Sequence, residues 1–410
     1  MSYDQNLDQV LDEYLLDIFG PEFFKPGLDR ITDCFKTYQD IFKSKEIKII
    51  TIAGTNGKGE TSHFLNDLLV SQGKKTALWT SPHVLSVTER YKFSNSYIEH
   101  KELLELFKCT EARKLSLSYY EFLFCCFCEK ATQLDLDYII LEVGLGGRLD
   151  TTNLIDTDLS LLCSISRDHE EYLGSDLCGI LHEKLGITRA NAFHISALEG
   201  SFLRSEQDKF LAIKEVTYKD LFSSNLLQQE DHFSKRNRLL ACAAYLYLNG
   251  EKVELEGLFE LEQKTECTES KGRMENVTFG EIKFIFIGAH NIDGIRKTVQ
   301  YLADSKLDKS SGLICAFSKR PVEDIQVGLK IFESAKCLWK TIYVSEFTHP
   351  KAFSFRDHQS DFKDLELVEW EAIIDNLILE NKGQWIVAGS YYFIGEVQKF
   401  LHSRIPHLEL

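Results

Sequence analysis

Lys58 stands inside a glycine turn, Gly54-Thr-Asn-Gly-Lys-Gly59. A lysine in that setting is suited to bridging phosphates. The glycines let backbone N–H groups converge on one point, and a helix starting there adds the positive end of its dipole. The common phosphate loop reads G-x-x-x-x-G-K-[ST]. Here Lys58 follows Gly54-Thr-Asn-Gly57, and Gly59-Glu60 comes where Ser or Thr is expected. The flanks favour phosphate binding over a mere tight turn. Lys48-Ile-Ile-Thr-Ile-Ala53 is apolar and β-branched, as a buried parallel strand is. Thr61 to Gln72 carries Phe64, Leu65, Leu68 and Leu69 at helical spacing.

A carboxylate is the second candidate. Glu142 lies near the C-terminal end of an apolar run, Leu136 to Val143, ahead of Gly144-Leu-Gly-Gly-Arg-Leu-Asp-Thr-Thr-Asn153. A lone acid in a buried strand is costly unless paired or metal-bound. In an open α/β sheet, ligands sit at the C-terminal ends of strands. Asp168-His169 follows the run Leu159 to Ile165 and falls at the same edge. Taken singly, His169 reads as a satisfied structural histidine and Lys184 as surface charge after a helical segment. Cys125-Cys-Phe-Cys128 lies in an apolar helical run without a partner cluster at zinc spacing, and reads as core.

Elements must position these groups. Periodicity predicts helices over 8–19, 31–42, 101–108, 119–134 and 233–248. It predicts strands over 75–80, 159–165, 313–317, 341–345 and 385–388. Phe24 to Ile31 reads as a turn. Val277 to Ile287 reads as a hairpin turning at Gly280-Glu281, and Gly288-Ala-His-Asn291 opens a helix. Glu260 to Ser270 is polar and acidic, and reads as a linker. Strands alternate with helices on both sides of it, so two α/β domains are expected in the 410 residues.

The net charge of −16 makes nucleic acid an unexpected partner and requires local basic groups to hold any anionic substrate. Eleven scattered cysteines fit free thiols in a reducing cytoplasm. The acidic stretch Met1 to Leu16 reads as neither a secretory nor a transit signal. No uncharged apolar run of about 18 residues exists, so no membrane span is expected.

Several further strings join the phosphate loop and the Leu141 to Asn153 block. They are Thr80-Ser-Pro-His83, Asp168-His169, Glu183-Lys184 with Gly186-Ile187, Gly272-Arg273, Gly288-Ala-His-Asn291, Ala388-Gly-Ser390 and Gly395-Glu-Val397. In this order they resemble the folylpolyglutamate synthase/dihydrofolate synthase enzymes, the FolC type of the Mur ligase superfamily. The resemblance implies an α/β protein with an ATP- and pterin-binding P-loop ATPase domain over 1–270. That domain is of the Mur ligase central-domain type, with a mostly parallel sheet. A Rossmann-like glutamate ligase domain is implied over 271–410, with the substrates between the two. The implied activity is ATP-dependent ligation of L-glutamate to dihydropteroate, to tetrahydrofolate polyglutamates, or to both, through an acyl phosphate. ATP is then co-substrate, Mg²⁺ the cofactor, and the protein a cytoplasmic monomer.

Site roles follow by resemblance, position by position. Gly57, Lys58 and Gly59 hold the triphosphate, with Thr55, Asn56, Glu60, Thr61, Asn237 and Arg273 also at ATP-binding positions. Ser81, Glu142 and His169 match magnesium ligands. Lys184 matches a lysine the family carbamylates, and Lys58, Lys184 and His290 are the catalytic set. Pterin contacts fall on Gly27, Leu28, Asp29, Arg30, Thr80, Ser118, Tyr119, Tyr120, Glu121, Leu149, Asp150 and Thr151. His290 and Ser390 match positions near the incoming glutamate.

The chain departs from the family pattern in three places. Glu60 replaces a loop Ser or Thr, with Thr61 one residue later as a substitute hydroxyl. Ile287 stands where the family usually has Asp, and Ser318-Lys-Arg-Pro321 where it commonly has an Asp-Lys pair. Glu60 and Ile287 motivate a second reading, a degenerate relative that binds nucleotide or folate without efficient ligation. A third, a Mur-type ligase acting on another acid, is opposed by the Leu141 to Asn153 block.

Overall fold

The computed structural model describes residues 4–20, 27–222, 227, 232–265, 271–304 and 310–405. The chain divides into two compact units. One takes Asn6–Pro82 and Val87–Thr268, the other His83–Ser86 and Glu269–Leu410.

The strands of the first unit are β1 (Lys48–Ala53), β2 (Thr76–Trp79), β3 (Tyr91–Phe93), β4 (Ser96–Tyr97), β5 (Tyr138–Glu142), β6 (Leu159–Leu162), β7 (Phe193–Ser196) and β8 (Tyr218–Asp220). Among the described residues they form one sheet in the order β4-β3-β2-β5-β1-β6-β7-β8. The pairings from β2 to β8 are parallel, and β3 and β4 add an antiparallel edge. β1 lies between β5 and β6, with β2 beyond β5. The segments leaving β1, β2, β5 and β6 therefore emerge at one edge of the sheet. That edge carries Gly54, Ser81, Glu142 and Cys163 to Ser166.

Helices cover both faces, because β1 is buried on both sides after Lys48. On one face, helix Tyr119–Gln133 buries Phe122, Phe124, Cys125, Cys126, Phe127 and Cys128. Its start is fixed by a capping box between Ser118 and Glu121. On the other, helix Lys58–Ser71 packs Phe64, Leu65, Leu68 and Leu69 into a cluster with Leu239, Leu240, Ala241, Ala243 and Ala244 of helix Phe233–Leu248. Alanines let the two helices approach closely.

The structure departs from the sequence reading at several points. The helix after the phosphate loop begins at Lys58, three residues earlier than the apolar spacing showed. Glu260 to Lys264 is helical, the end of Leu255–Lys264, rather than linker. Leu258 and Glu262 are its buried face, and Arg238 pairs with Glu262 at 3.1 Å. The rest of that stretch, 266–270, and residues 24–26 of the first turn lie outside the described residues. β7, β8 and helix Ser201–Ile213 had no clear signal, since Phe193-His-Ile-Ser196 is too short and mixed to show a period.

The second unit holds β9 (Arg273–Phe279), β10 (Ile282–Ile287), β11 (Ser310–Ala316), β12 (Trp339–Val344) and β13 (Gly383–Gly389). They form a sheet in the order β12-β11-β13-β10-β9. β9 is antiparallel and the rest are parallel. The hairpin turns at Gly280, whose φ of +56° favours glycine. At the end of β13, Gly389 has φ +118°, and a Cβ there would lie 2.1 Å from the Ala316 carbonyl oxygen. Gly389→Ala is therefore expected to destabilise this unit by about 2 kcal/mol or more, read as a lowered denaturation midpoint in urea. An unchanged midpoint would show that the strand end tolerates a side chain.

Candidate functional site

Helix Lys58–Ser71 starts on Gly57, which has φ +94° and so turns the chain back over the sheet edge. The first-turn N–H groups of that helix have no partner within it. The loop before it is stitched to the segment after β6. Thr55 N–H donates to the Ser164 carbonyl at 2.8 Å, and Thr55 Oγ1 donates to the Ser166 carbonyl at 3.0 Å. Asn56 N–H donates to Ser164 Oγ at 3.1 Å, which returns a bond to the Asn56 carbonyl at 2.9 Å. A Cβ at Gly54 would lie 2.9 Å from Cys163 Cβ, so this approach needs glycine.

Two lysines converge on this loop. Lys58 Nζ donates to the carbonyls of Gly54 at 3.1 Å and Thr55 at 3.2 Å. Lys184 Nζ donates to the same Gly54 carbonyl at 3.0 Å. Lys184 is 5 % exposed, in the last turn of helix Leu177–Leu185. The surface reading of its sequence neighbourhood is thus corrected. Burial, and then the Lys58 charge, hold its ammonium down from 10.5 to about 7. The folded chain binds this proton less tightly than the unfolded one. Its cost to stability is therefore full below about pH 7, and is relieved as pH rises from there toward 10.5.

The glycine-rich block after β5 explains why Lys184 is buried. A Cβ at Gly147 would lie 2.8 Å from the Glu183 carbonyl oxygen and 2.9 Å from that of Lys184. A Cβ at Gly186 would lie 2.4 Å from Arg148 Cβ. Arg148 also donates to Glu183 Oε1 from Nε at 3.0 Å and Nη2 at 2.8 Å. Asp150 ties the block together from within. It accepts from the N–H groups of Gly144 (3.0 Å), Leu145 (2.9 Å) and Thr152 (3.0 Å), and from the Thr152 hydroxyl at 2.7 Å. Burial nonetheless raises its pKa.

Ser81 and Glu142 meet. Ser81 N–H donates to Glu142 Oε2 at 3.0 Å, and Glu142 is 1 % exposed. The Ser81 side chain also bonds to the Tyr120 hydroxyl. His169 follows β6 in the left-handed region at φ +53°, with its ring 3.9 Å from carboxylate oxygens of Asp168 and Glu171. Among the described residues, no three His, Cys, Asp or Glu side chains form a metal-holding group. A carboxylate and a hydroxyl on adjacent strand ends are hard oxygen donors, which fits magnesium. That ion is usually held by one or two carboxylates, with phosphates and water completing its shell.

The departure at Glu60 is resolved by its neighbours. Its carboxylate accepts from the Ser234 hydroxyl and, at 2.7 Å, from Asn237 Nδ2. Thr61 does not offer its hydroxyl to the loop. It is fully buried, 3.3 Å from the Asn237 carbonyl and 3.4 Å from Cys163 Sγ. Asn237 also packs on the loop glycine, since a Cβ at Gly57 would lie 2.3 Å from its Oδ1. The Ser234-x-x-Asn237 spacing, two polar groups one helical turn apart, was the signal that sequence reading passed over.

Of the positions matched to pterin contacts by resemblance, Ser118 and Glu121 cap their helix, and Arg30 is ion-paired to Glu121. Thr80 Oγ1 donates to the Glu89 carbonyl at 3.1 Å, and Tyr120 accepts from Trp79 Nε1 at 3.2 Å. Thr151 is buried and Tyr119 and Leu28 are partly so, while Gly27, Asp29 and Leu149 are exposed.

Arg273, His290 and Ser390 belong to the second unit. Arg273 lies over the Tyr391 ring at 5.8 Å, and the His290 ring is 5.6 Å from that of Tyr391. Ser390 caps the helix Tyr391–Arg404 and meets Ser318 Oγ at 2.7 Å. Ile287 is 4 % exposed, in an apolar cluster with Ile285, Ala289, Ile295 and Phe317.

A phosphate loop on a mostly parallel sheet in one unit, and a Rossmann-like sheet in the other, define a two-domain α/β fold of the Mur ligase type. No family model matches the chain. Its sequence is 28% identical to the dihydrofolate synthase/folylpolyglutamate synthase of Buchnera aphidicola subsp. Schizaphis graminum, over 87% of this chain and 88% of that one. The solved structure of E. coli FolC in complex with DHPP and ADP matches with a TM-score of 0.77 and 23% identity, covering 97% of this chain and 98% of that one. A crystal structure of bifunctional folylpolyglutamate synthase/dihydrofolate synthase with Mn, AMPPNP and L-glutamate bound matches with a TM-score of 0.76 and 23% identity, over 94% and 97% of the two chains. The chain thus resembles the dihydrofolate synthase/folylpolyglutamate synthases along nearly its whole length.

Glu60→Ala frees Asn237 and Ser234 together. Stability, read from the urea denaturation midpoint, is expected to fall by about 1–2 kcal/mol, with Glu60→Ala and Asn237→Ala non-additive in a double-mutant cycle. Additive effects would mean that the carboxylate does not act through Asn237.

Proposed function

We propose that the chain is an ATP-dependent ligase that joins L-glutamate to dihydropteroate, to reduced folate polyglutamates, or to both, through an acyl phosphate. The observation that carries this reading is the pair of lysines on the Gly54 carbonyl, next to the strand ends that bear Ser81 and Glu142. The relatives' names, and the nucleotide, Mn and L-glutamate bound in solved neighbours, support it.

The chemistry needs such a site. A carboxylate is a poor electrophile, and phosphorylation gives it a leaving group that an amine can displace. Several anions must gather first, so positive charge has to be concentrated. Lys58 leaves the Gly54 and Thr55 carbonyls to pair with phosphate oxygens. Glu142 and Ser81, with His169, hold magnesium, which when bound neutralises phosphate charge and acts as a Lewis acid. Lys184 near its pKa of about 7 is partly a neutral amine, the form that adds carbon dioxide. In that addition an N–C bond forms and a proton leaves, giving a carbamate anion that relieves repulsion with Lys58. Asn237 and Arg273 serve the nucleotide, and Gly27 to Arg30, Thr80, Ser118 to Glu121 and Leu149 to Thr151 the pterin. The second unit's His290 and Ser390 serve the incoming glutamate. The working form is a cytoplasmic monomer, and residues 1–270 and 271–410 are the ATP/pterin and glutamate domains.

A buried Ile287 favours a second reading, in which nucleotide or folate is bound and ligation is weak. Release of ADP separates the two. With Mg²⁺, ATP and L-glutamate, turnover is expected on addition of dihydropteroate or tetrahydrofolate. Tight ATP binding without ADP release on either acceptor would overturn the ligase reading in favour of the second.

Two variants probe the lysines. Lys58→Ala is expected to lower turnover by about 10² or more, because charge stabilisation of the transferring phosphoryl group is lost. Lys184→Ala is expected to lose activity that short-chain carboxylic acids partly restore. A carbamate-dependent wild type gains activity as pH rises through about 7 at fixed carbon dioxide. No rescue at any acid concentration, with a flat profile across that range, would remove the carbamate from the mechanism.

A further inference from the structure

One cluster of nucleophiles in the first unit has no part in this chemistry. Cys34 lies on helix Thr32–Ser44 and Cys125 on helix Tyr119–Gln133. The two helices pack tightly, with the Phe35 and Phe124 rings stacked at 5.3 Å. Arg113, just past helix His100–Ala112, spans both sulfurs. Its Nη2 is 3.7 Å from Cys34 Sγ, and its Nη1 is 4.0 Å from Cys125 Sγ. The Tyr38 hydroxyl is 3.4 Å from Cys125 Sγ. One guanidinium in contact with both sulfurs gathers them into a single cluster. Cys34 is partly exposed, while Cys125 is buried.

An accessible sulfur, a shielded sulfur and one guanidinium over both make an asymmetric dithiol. The other groups facing it are Glu129, 3.2 Å from Arg113 Nη1, together with Tyr38, Cys126 and Cys128. The bond from Cys125 pulls the Cys34 thiol down to about 7; burial opposes this and the Arg113 charge adds to it. Giving that bond, together with burial, pushes the Cys125 thiol up. Exposure separates the roles of the two sulfurs, since peroxide reaches the partly exposed Cys34 before the buried Cys125.

We propose that Cys34 and Cys125 form a peroxide-sensitive dithiol, with Cys34 as the attacking sulfur and Cys125 as the resolving one. The Cys34 thiolate attacks one oxygen of hydrogen peroxide. The O–O bond breaks, leaving a sulfenic acid and hydroxide. Cys125 then attacks the Cys34 sulfur, the S–O bond breaks, and its thiol proton leaves with the departing oxygen as water. Two thiols lose two electrons and two protons, and peroxide becomes two waters. A thiol reductant reverses the bond. Intracellular disulfides of mesophiles are usually of this transient, sensing kind. The cross-link pins helix 32–44 to helix 119–133, whose first turn carries Tyr119 to Glu121.

The test is peptide mapping of the full chain after a few equivalents of hydrogen peroxide, under non-reducing conditions. A Cys34–Cys125 cross-link is expected, lost on treatment with dithiothreitol. Cys125→Ser should accumulate a Cys34 sulfenic acid that dimedone traps. Arg113→Met should slow Cys34 oxidation about tenfold. The partly exposed Cys34→Ser, with unchanged near-UV circular dichroism, should lose both products and so guards against misfolding of the Cys125 variant. Oxidation of Cys34 no faster than that of the exposed Cys109 and Cys337, or a wild-type map without the 34–125 link, overturns the proposal.

Discussion

The Gly54 carbonyl oxygen accepts from two ammonium groups, those of Lys58 and Lys184. Two like charges sharing one buried acceptor are unfavourable unless something withdraws one of them. The fold does so by burying Lys184, which brings that amine close to neutrality. Much of the first unit serves this arrangement. The Leu141 to Asn153 block presses Gly147 against the backbone of Lys184, and Gly186 meets Arg148 in return. Asp150 spends its carboxylate on the block's own amides. A motif rich in glycine thus works largely as the mould for a lysine.

The same logic accounts for Glu60. A carboxylate in a phosphate loop is a liability if it faces the ligand. Here it is bound by Ser234 and Asn237 of helix Phe233–Leu248, and the Thr61 hydroxyl bonds the Asn237 carbonyl. The first turn after the loop is consequently clamped to a second helix by both side chain and backbone. The acid serves as a fastener, and Asn237 gains a fixed orientation beside Gly57.

What was legible in the sequence was local. The strand-turn-helix at Gly54, the hairpin at Gly280 and the helix 233–248 each carry their signal in adjacent residues. The alternation of strands and helices after the hairpin marked the second α/β unit, and the resemblance tied the separate site strings together. What was hidden depends on long-range contact. Lys184 looks like surface charge until Gly147, 37 positions earlier by number, packs over its backbone. The partner of Glu60 lies 174 residues away. Glu260 to Lys264 looked like a linker because its charges mask a narrow buried face at Leu258 and Glu262. The Ser118-Tyr-Tyr-Glu121 capping box, by contrast, is a local S-x-x-E signature that the resemblance to a substrate position overshadowed.

The dependence of the site on a near-neutral Lys184 can be measured on the lysine itself. Heteronuclear NMR of protein labelled in its lysine side chains follows that amine through a pH titration in carbon-dioxide-free buffer. A midpoint near 7 is expected in the wild type, moving up when Lys58→Met removes the neighbouring charge. A midpoint near 10.5 in both proteins would contradict the account, since the two ammonium groups would then share Gly54 without either yielding its proton.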